Sequence, residues 1–240
     1  MALYNIAGLN VEMSPKFEHL KQYAEKYLCK NNNVKADFFI DLPDCFLEEK
    51  QKENPHLSLS DCEYIWSGAM FASKLLQNNG FVLHSSAVEY EGKAYLFSAK
   101  SGTGKSTHTS FWQEVFGYDK TLIINDDKPA IRYIDGKFYT LGTPFSGKSS
   151  LNSDVSFPIK ALCFIYRSEK NEIRRLSASE AIPLVFEQTL RPKNANSAQN
   201  LLGLLDGFFR LVPIYSLGVT YSKDSALFAY EAINGVKSAE

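Results

Sequence analysis

Cysteine is scarce in this 240-residue chain, and Cys29, Cys45, Cys62 and Cys163 lie far apart with no CxxC pair among them. Such scatter excludes a disulfide framework and a cysteine-built zinc site, and fits reduced thiols in a cytoplasm. Long apolar runs are missing too, since no window approaches the roughly 18 uninterrupted apolar residues of a membrane span. The opening MALYNIAGLNVEM has no cationic segment followed by a long apolar stretch, so no leader is expected and a cytoplasmic location is. Basic charge is not in excess either: the formal net charge is −1, which removes nucleic acid from the expected partners. Neither an internal repeat nor a low-complexity tract is visible. What is present is 45% hydrophobic and 13% aromatic residues, enough in a chain of this length for one sizeable core and a minor lobe.

The apolar patterning gives a coarse element map. Tyr4 to Met13 reads as a strand, and Phe17, Leu20, Tyr23, Ala24 and Tyr27 fall on one face of a helix from Pro15 to Leu28. Asp37 to Asp41 reads as a short strand, and the polar EEKQKENP from Glu48 to Pro55 as a connector, hence a boundary between a lobe of residues 1–55 and a domain of residues 56–240. Ser60 with Glu63 three positions on predicts a capping box opening a helix that stops at Asn78, Asn79 and Gly80. Strands follow over Phe81 to Tyr90 and Lys93 to Ser98, turning at Glu91 and Gly92. Later strands are expected over Ile159 to Arg167 and Val212 to Thr220, and helices over Glu180 to Leu190, Ser197 to Arg210 and Ser225 to Ile233.

Chemistry concentrates around YLFSAKSGTGKST, Tyr95 to Thr107. Ala99 to Ser106 fits the P-loop pattern with alanine in the first glycine position, and a buried strand before it and a helix after it give that pattern meaning. Ser101, Gly102, Thr103 and Gly104 would turn backbone N–H groups around phosphate oxygens, and the dipole of the helix starting near Lys105 favours anions. Lys105 would reach the β- and γ-phosphates, Ser106 would offer its hydroxyl to Mg²⁺, and Thr107 closes the motif. The apolar run TLIINDD ends in Asp126 and Asp127, the carboxylates that a magnesium–phosphate site requires at the end of a neighbouring strand. Adjacent acids on extended backbone point to opposite sides, so one can hold the metal while the other accepts a proton. Taken alone, Asp126-Asp127-Lys128-Pro129 reads equally well as a polar turn after a core strand. His84, heading HSSAV, reads on its own as a strand-end histidine satisfied by backbone.

SGTGKS at Ser101 to Ser106, the Asp126-Asp127 pair and the upstream HSSAV, in that order, resemble the P-loop kinases related to HPr kinase/phosphorylase. More distantly they are similar to ATP-dependent phosphoenolpyruvate carboxykinase. The resemblance covers about Phe81 to Arg132. It implies an α/β fold with a phosphoenolpyruvate-carboxykinase-like core, largely antiparallel mixed sheets with flanking helices, behind a small N-terminal α/β lobe. It also implies that Asp126 is the general base that deprotonates a serine hydroxyl, that Asp127 positions magnesium or phosphate, and that His84 lies beside the base and tunes its charge. Homo-oligomers are expected on the same ground. Thr107 stands where HPr kinases carry an acid, and their glutamate-arginine signature has no counterpart, which implies a relative with its own substrate.

FYTLGTPFSGK, Phe138 to Lys148, is a strand running into a second small-residue loop. Lys148 is either a solvated loop lysine or a contact for the transferred phosphoryl group or an acidic substrate. Arg191 either complements a helix C-terminus or stabilises a phosphate. His19, His56 and His108 have no partners at metal spacing. The expected activity is ATP- and Mg²⁺-dependent phosphorylation of a hydroxyl, with Asp126, His84 and Lys105 as catalytic groups. The acceptor is either a serine of a peptide or protein, or a small metabolite. The competing reading is a nucleotide-binding accessory or regulatory ATPase without a dedicated acceptor; pyrophosphate-linked or phosphorolytic chemistry is a third.

Overall fold

The computed structural model describes residues 1–30, 34–192 and 194–235. The N-terminal segment is a hairpin, β1 (Ala2–Ile6) and β2 (Leu9–Met13), where the sequence reads as one strand. Ala7 and Gly8 both have positive φ and turn the chain between them, a break that the unbroken apolar alternation conceals. Strand β3 (Phe38–Ile40) adds in parallel to β2, completing a three-stranded sheet. Helix α1 (Glu18–Ala24) and a 3-10 turn over Glu25–Tyr27 cover it. Most of the expected connector is helical: α2 (Asp44–Glu53) has little apolar surface of its own and is held by Leu47, which packs with Leu42 and Cys62.

Helix α3 (Leu59–Leu75) is capped by Ser58 and Asp61 in a reciprocal capping box, two residues earlier than the sequence suggests. Glu63 is otherwise engaged: it is buried, and its carboxylate accepts the backbone N–H groups of Lys16 and Phe17 at 2.6 and 3.0 Å, which caps α1 across a sequence gap. Helix α3 thereby joins the N-terminal sheet to the rest of the molecule, with Tyr64, Phe71 and Leu75 in the same cluster as Ile6, Val11 and Met13.

Among the described residues, the other nine strands form one curled mixed sheet. Phe81 to Tyr90 is two strands, β4 (Gly80–Val82) and β5 (Ser86–Tyr90), which pair with different neighbours. Strand β5 turns at Glu91 and Gly92 into β6 (Lys93–Ser98), and α4 (Lys105–Phe116) follows. Next come β7 (Thr121–Asn125), β8 (Ala130–Ile134) and β9 (Lys137–Leu141). The twelve-residue β10 (Ser156–Arg167) bends the sheet: its first residues pair antiparallel with β9, its remainder parallel with β6. Strand β12 (Ile214–Val219) lies parallel on the other side of β10, edged by β11 (Glu172–Arg175). Helices α5 (Ala178–Glu187) and α6 (Ala195–Leu211) cover one core, with Val185, Leu201, Leu205 and Phe208 facing Phe81, Leu96 and Leu162. Helices α4 and α7 (Asp224–Asn234) cover the other, around Trp112, Phe97 and Ala226. No described helix is long and apolar enough to cross a membrane.

Strand direction places the chemistry. Strand β5 runs antiparallel to both β6 and β7, so the ends of β6 and β7 and the start of β5 meet at one sheet edge. The phosphate loop, Asp126-Asp127 and His84 are therefore neighbours although they span more than forty positions.

Candidate functional site

At that edge a cavity of about 730 Å³ is lined by Ser101, Gly102, Gly104, Lys105, Ser106, Thr107, His84, Asp126, Asp127 and the loop from Ser146 to Ser149. Of the residues from Ser101 to Thr107, Thr103 alone is not on its wall. Lys105 opens α4 and is buried, with its Nζ donating to the Ala99 carbonyl at 3.0 Å. Burial lowers the pKa of its ammonium, and the charges of Asp127 and Asp126 act in the opposite direction.

The two acids divide as adjacent residues should, but their partners differ from expectation. Asp126 is buried, and its Oδ1 accepts the Ser86 hydroxyl at 2.6 Å, which is in turn 2.8 Å from the Thr109 hydroxyl on α4. Asp127 faces His84: the Nε2–Oδ1 distance is 3.3 Å, while Lys128 donates to Oδ2 at 2.8 Å. His84 is thus the partner of Asp127 and not of Asp126, whose Oδ1 is taken by the Ser86 hydroxyl on β5. The other imidazole nitrogen, Nδ1, is 2.8 Å from Gln188 Oε1, and the His84 amide donates to the Gln188 carbonyl. Burial raises the pKa of Asp127, but the hydrogen bonds and charges of His84 and Lys128 outweigh it and hold the carboxyl at about 2.

Asn125 ties these parts together, a role with little signal in the sequence beyond a polar residue ending an apolar strand. Its Oδ1 accepts the Asp127 and Lys128 amides at 2.9 and 2.7 Å, and its Nδ2 donates to the Thr143 carbonyl at 2.9 Å. The double-acid turn and the loop after β9 are therefore fixed to one buried side chain. That loop comes close to Asp127: Gly147 has φ +69°, and a Cβ there would lie 3.0 Å from Asp127 Cβ and Cγ. The Gly147 amide donates to the Tyr64 hydroxyl at 3.0 Å, and Asn152 reaches Ser146 Oγ at 2.8 Å while accepting from Tyr27 at 3.0 Å. Tyr27 and Tyr64 thus brace this segment from the N-terminal third of the chain.

Lys148 is exposed on the cavity wall, a position compatible with both of its readings. Arg191 is exposed and does not line the cavity. Tyr221 does line it and was not singled out in the sequence. Its hydroxyl is 3.0 Å from that of Thr107, its ring lies against Gly104, and the Arg167 guanidinium is 5.6 Å from its centroid. A tyrosine two residues beyond a strand carries no such signal. Among the described residues no cluster of three or more His, Cys, Asp or Glu side chains is placed to hold a metal ion.

The molecule is a mixed α/β protein with a glycine-rich loop opening a helix beside a carboxylate-lined cavity. The model of the family described as "SynChlorMet cassette protein ScmC" matches residues 50–197, and the chain belongs to that family. No curated protein matches it. Among solved structures, the HPr(Ser) kinase/phosphatase from Coxiella burnetii is similar at 7% identity and a TM-score of 0.37, over 64% of this chain and 94% of that one. A likeness of that size bears on neither activity nor partners.

Proposed function

We propose that this protein is an ATP-dependent kinase that transfers the γ-phosphoryl group to a hydroxyl, on a phosphoenolpyruvate-carboxykinase-like P-loop core. The observation that carries the reading is the convergence of the 101–107 loop, both acids, His84 and Lys148 on one cavity. Ser106 and Asp126 offer oxygens there, the donor type that Mg²⁺ prefers, and a cation held by so few protein groups relies on phosphate and water for the rest. When bound, Mg²⁺ would neutralise charge developing on the phosphoryl oxygens.

In this reading Lys105 turns from the Ala99 carbonyl to the phosphates, and Asp127, rather than Asp126, is the proton acceptor. The acceptor oxygen bonds to phosphorus, the bond from phosphorus to the bridging oxygen breaks, ADP leaves, and the hydroxyl proton passes to Asp127. A carboxylate held near 2 is fully ionised at neutral pH and takes that proton late, once the attacking oxygen is bonded and acidic, the timing of a loose transition state. His84, held through Nδ1 by Gln188, fixes the Asp127 carboxylate in place.

Phosphoryl transfer from labelled ATP to hydroxyl compounds tests the assignment. Asp127→Asn is expected to slow transfer by about 10²–10⁴-fold while ATP affinity stays within a few-fold. Asp126→Asn is expected to weaken magnesium-dependent ATP binding. Equal transfer by wild type and Asp127→Asn would sink the base assignment, and ATP turnover with no labelled hydroxyl would leave the accessory-ATPase reading.

A further inference from the structure

A second cavity, of about 320 Å³, adjoins the first and differs from it in character. Its walls are Ile65 and Ala69 on α3, Val82, Phe145 and Leu190, with His84 at the junction of the two cavities. The space exists because α3 presents Gly68, Ala69 and Ala72 where a buried helical face ordinarily carries large side chains. The glycine also has a packing reason: a Cβ at Gly68 would lie 3.0 Å from the Phe145 ring. The loop after β9 partitions the two spaces, with Phe145 in the apolar one and Ser146 to Ser149 in the phosphate one. Lys128, whose ammonium pairs with Asp127, lines the apolar cleft as well. An apolar cleft thus ends at the histidine and carboxylate that face the phosphate loop.

Resting on the kinase reading above, we infer that this cleft selects the acceptor: a peptide whose seryl or threonyl hydroxyl lies next to a large apolar side chain. With that side chain between α3 and Phe145, the neighbouring hydroxyl falls at His84 and Asp127. The cavity sits at the small end of ligand-site volumes and has room for a large side chain. Apolar surface continues past its mouth, with Ile65 44% and Leu190 46% exposed, and Glu187 and Lys128 provide charge of both signs there. A small molecule is ordinarily enclosed by its site, whereas a cleft whose apolar rim runs outward suits a chain passing through.

The test is labelled transfer to serine peptides that differ only in the neighbouring residue, alongside free apolar alcohols of similar size. Peptides with Leu or Phe beside serine are expected to show about 10–100-fold higher kcat/KM than those with Gly or Ala, the range for burying one such side chain. Ala69→Phe, which fills the cleft, is expected to collapse that ratio towards one. Ile65→Glu and Leu190→Glu change exposed rim positions and should do the same if the filled variant does not fold. A ratio near one in wild type, a ratio unchanged in all three variants, or labelling confined to the free alcohols overturns the inference while leaving the kinase reading standing. ATP turnover with no hydroxyl labelled at all overturns both.

Discussion

Replacing Gly147 with alanine isolates the contact between the loop after β9 and the acid that faces it. At φ +69° an alanine pays about 1–2 kcal/mol for a left-handed backbone, whatever surrounds it. In a chain of this size that corresponds to a loss of roughly 2–8 °C in Tm. The new Cβ also meets Asp127 Cβ and Cγ at 3.0 Å, a few tenths of an ångström inside ordinary contact, so loop and carboxylate must separate. Gly136 supplies the control: its φ is +82° and nothing lies within 4 Å of its Cβ position, so Gly136→Ala pays the backbone cost alone. Both variants are expected to melt several degrees below wild type, but only Gly147→Ala should lose activity, by about 10-fold or more given the sensitivity of transfer to sub-ångström placement. Thermal melts and labelled-phosphate transfer on the three proteins decide it. Equal activity in the two variants would refute the claim that this loop positions Asp127.

His108, at 2% exposure, lies between the Trp112 indole and the Ser225 hydroxyl, and burial lowers its pKa from 6.5 to about 3. It is therefore neutral when folded; its contribution is complete above pH 6.5 and is lost as pH falls towards 3, on the order of 5 kcal/mol at most. Denaturant titrations across that window should show the slope in wild type and a flatter one in His108→Phe. Asp127, held at about 2 against an ordinary 3.8, adds about 2 kcal/mol that is present above pH 4 and disappears towards pH 2, and Asp127→Asn should remove that acid limb. Trp112 is fully buried among Tyr95, Phe97 and Phe116, so Trp112→Ala is expected to cost about 3–5 kcal/mol, measurable as a shift in denaturation midpoint.

Local signals were legible in the sequence and long-range ones were not. The strand–loop–helix around Lys105 is written in consecutive residues, and α4 begins where the glycines end. The break between β4 and β5 was hidden because it reflects a change of pairing partner, from β8 to β6 and β7, with no change in apolar alternation. Helix α2 was missed because EEKQKENP shows almost no apolar face, and its stability comes from Leu47 meeting Leu42 and Cys62. The capping box was misplaced because Glu63 has the right spacing from Ser60 but caps a helix more than forty residues upstream. For the site, spacing showed that Asp126 and Asp127 diverge, yet which of them meets His84 depends on where Ser86 and Thr109 lie, and that is a property of the packed sheet edge.

The loop from Thr143 to Ser149 gives Phe145 to one cavity and Lys148 to the other, both anchored through Asn125 and Tyr64. Anyone seeking to redirect the protein to a new acceptor, and equally any lineage drifting towards one, would find this loop a poor place to begin. An edit that reshapes the selecting wall also disturbs the phosphate wall, so preference and turnover are inherited together. The opposite bank carries that tie at Tyr64 and Gly68 rather than along its whole length. Ile65 and Ala69 sit on a helix that can be rewritten one side chain at a time, and that is where divergence among related chains is expected to collect.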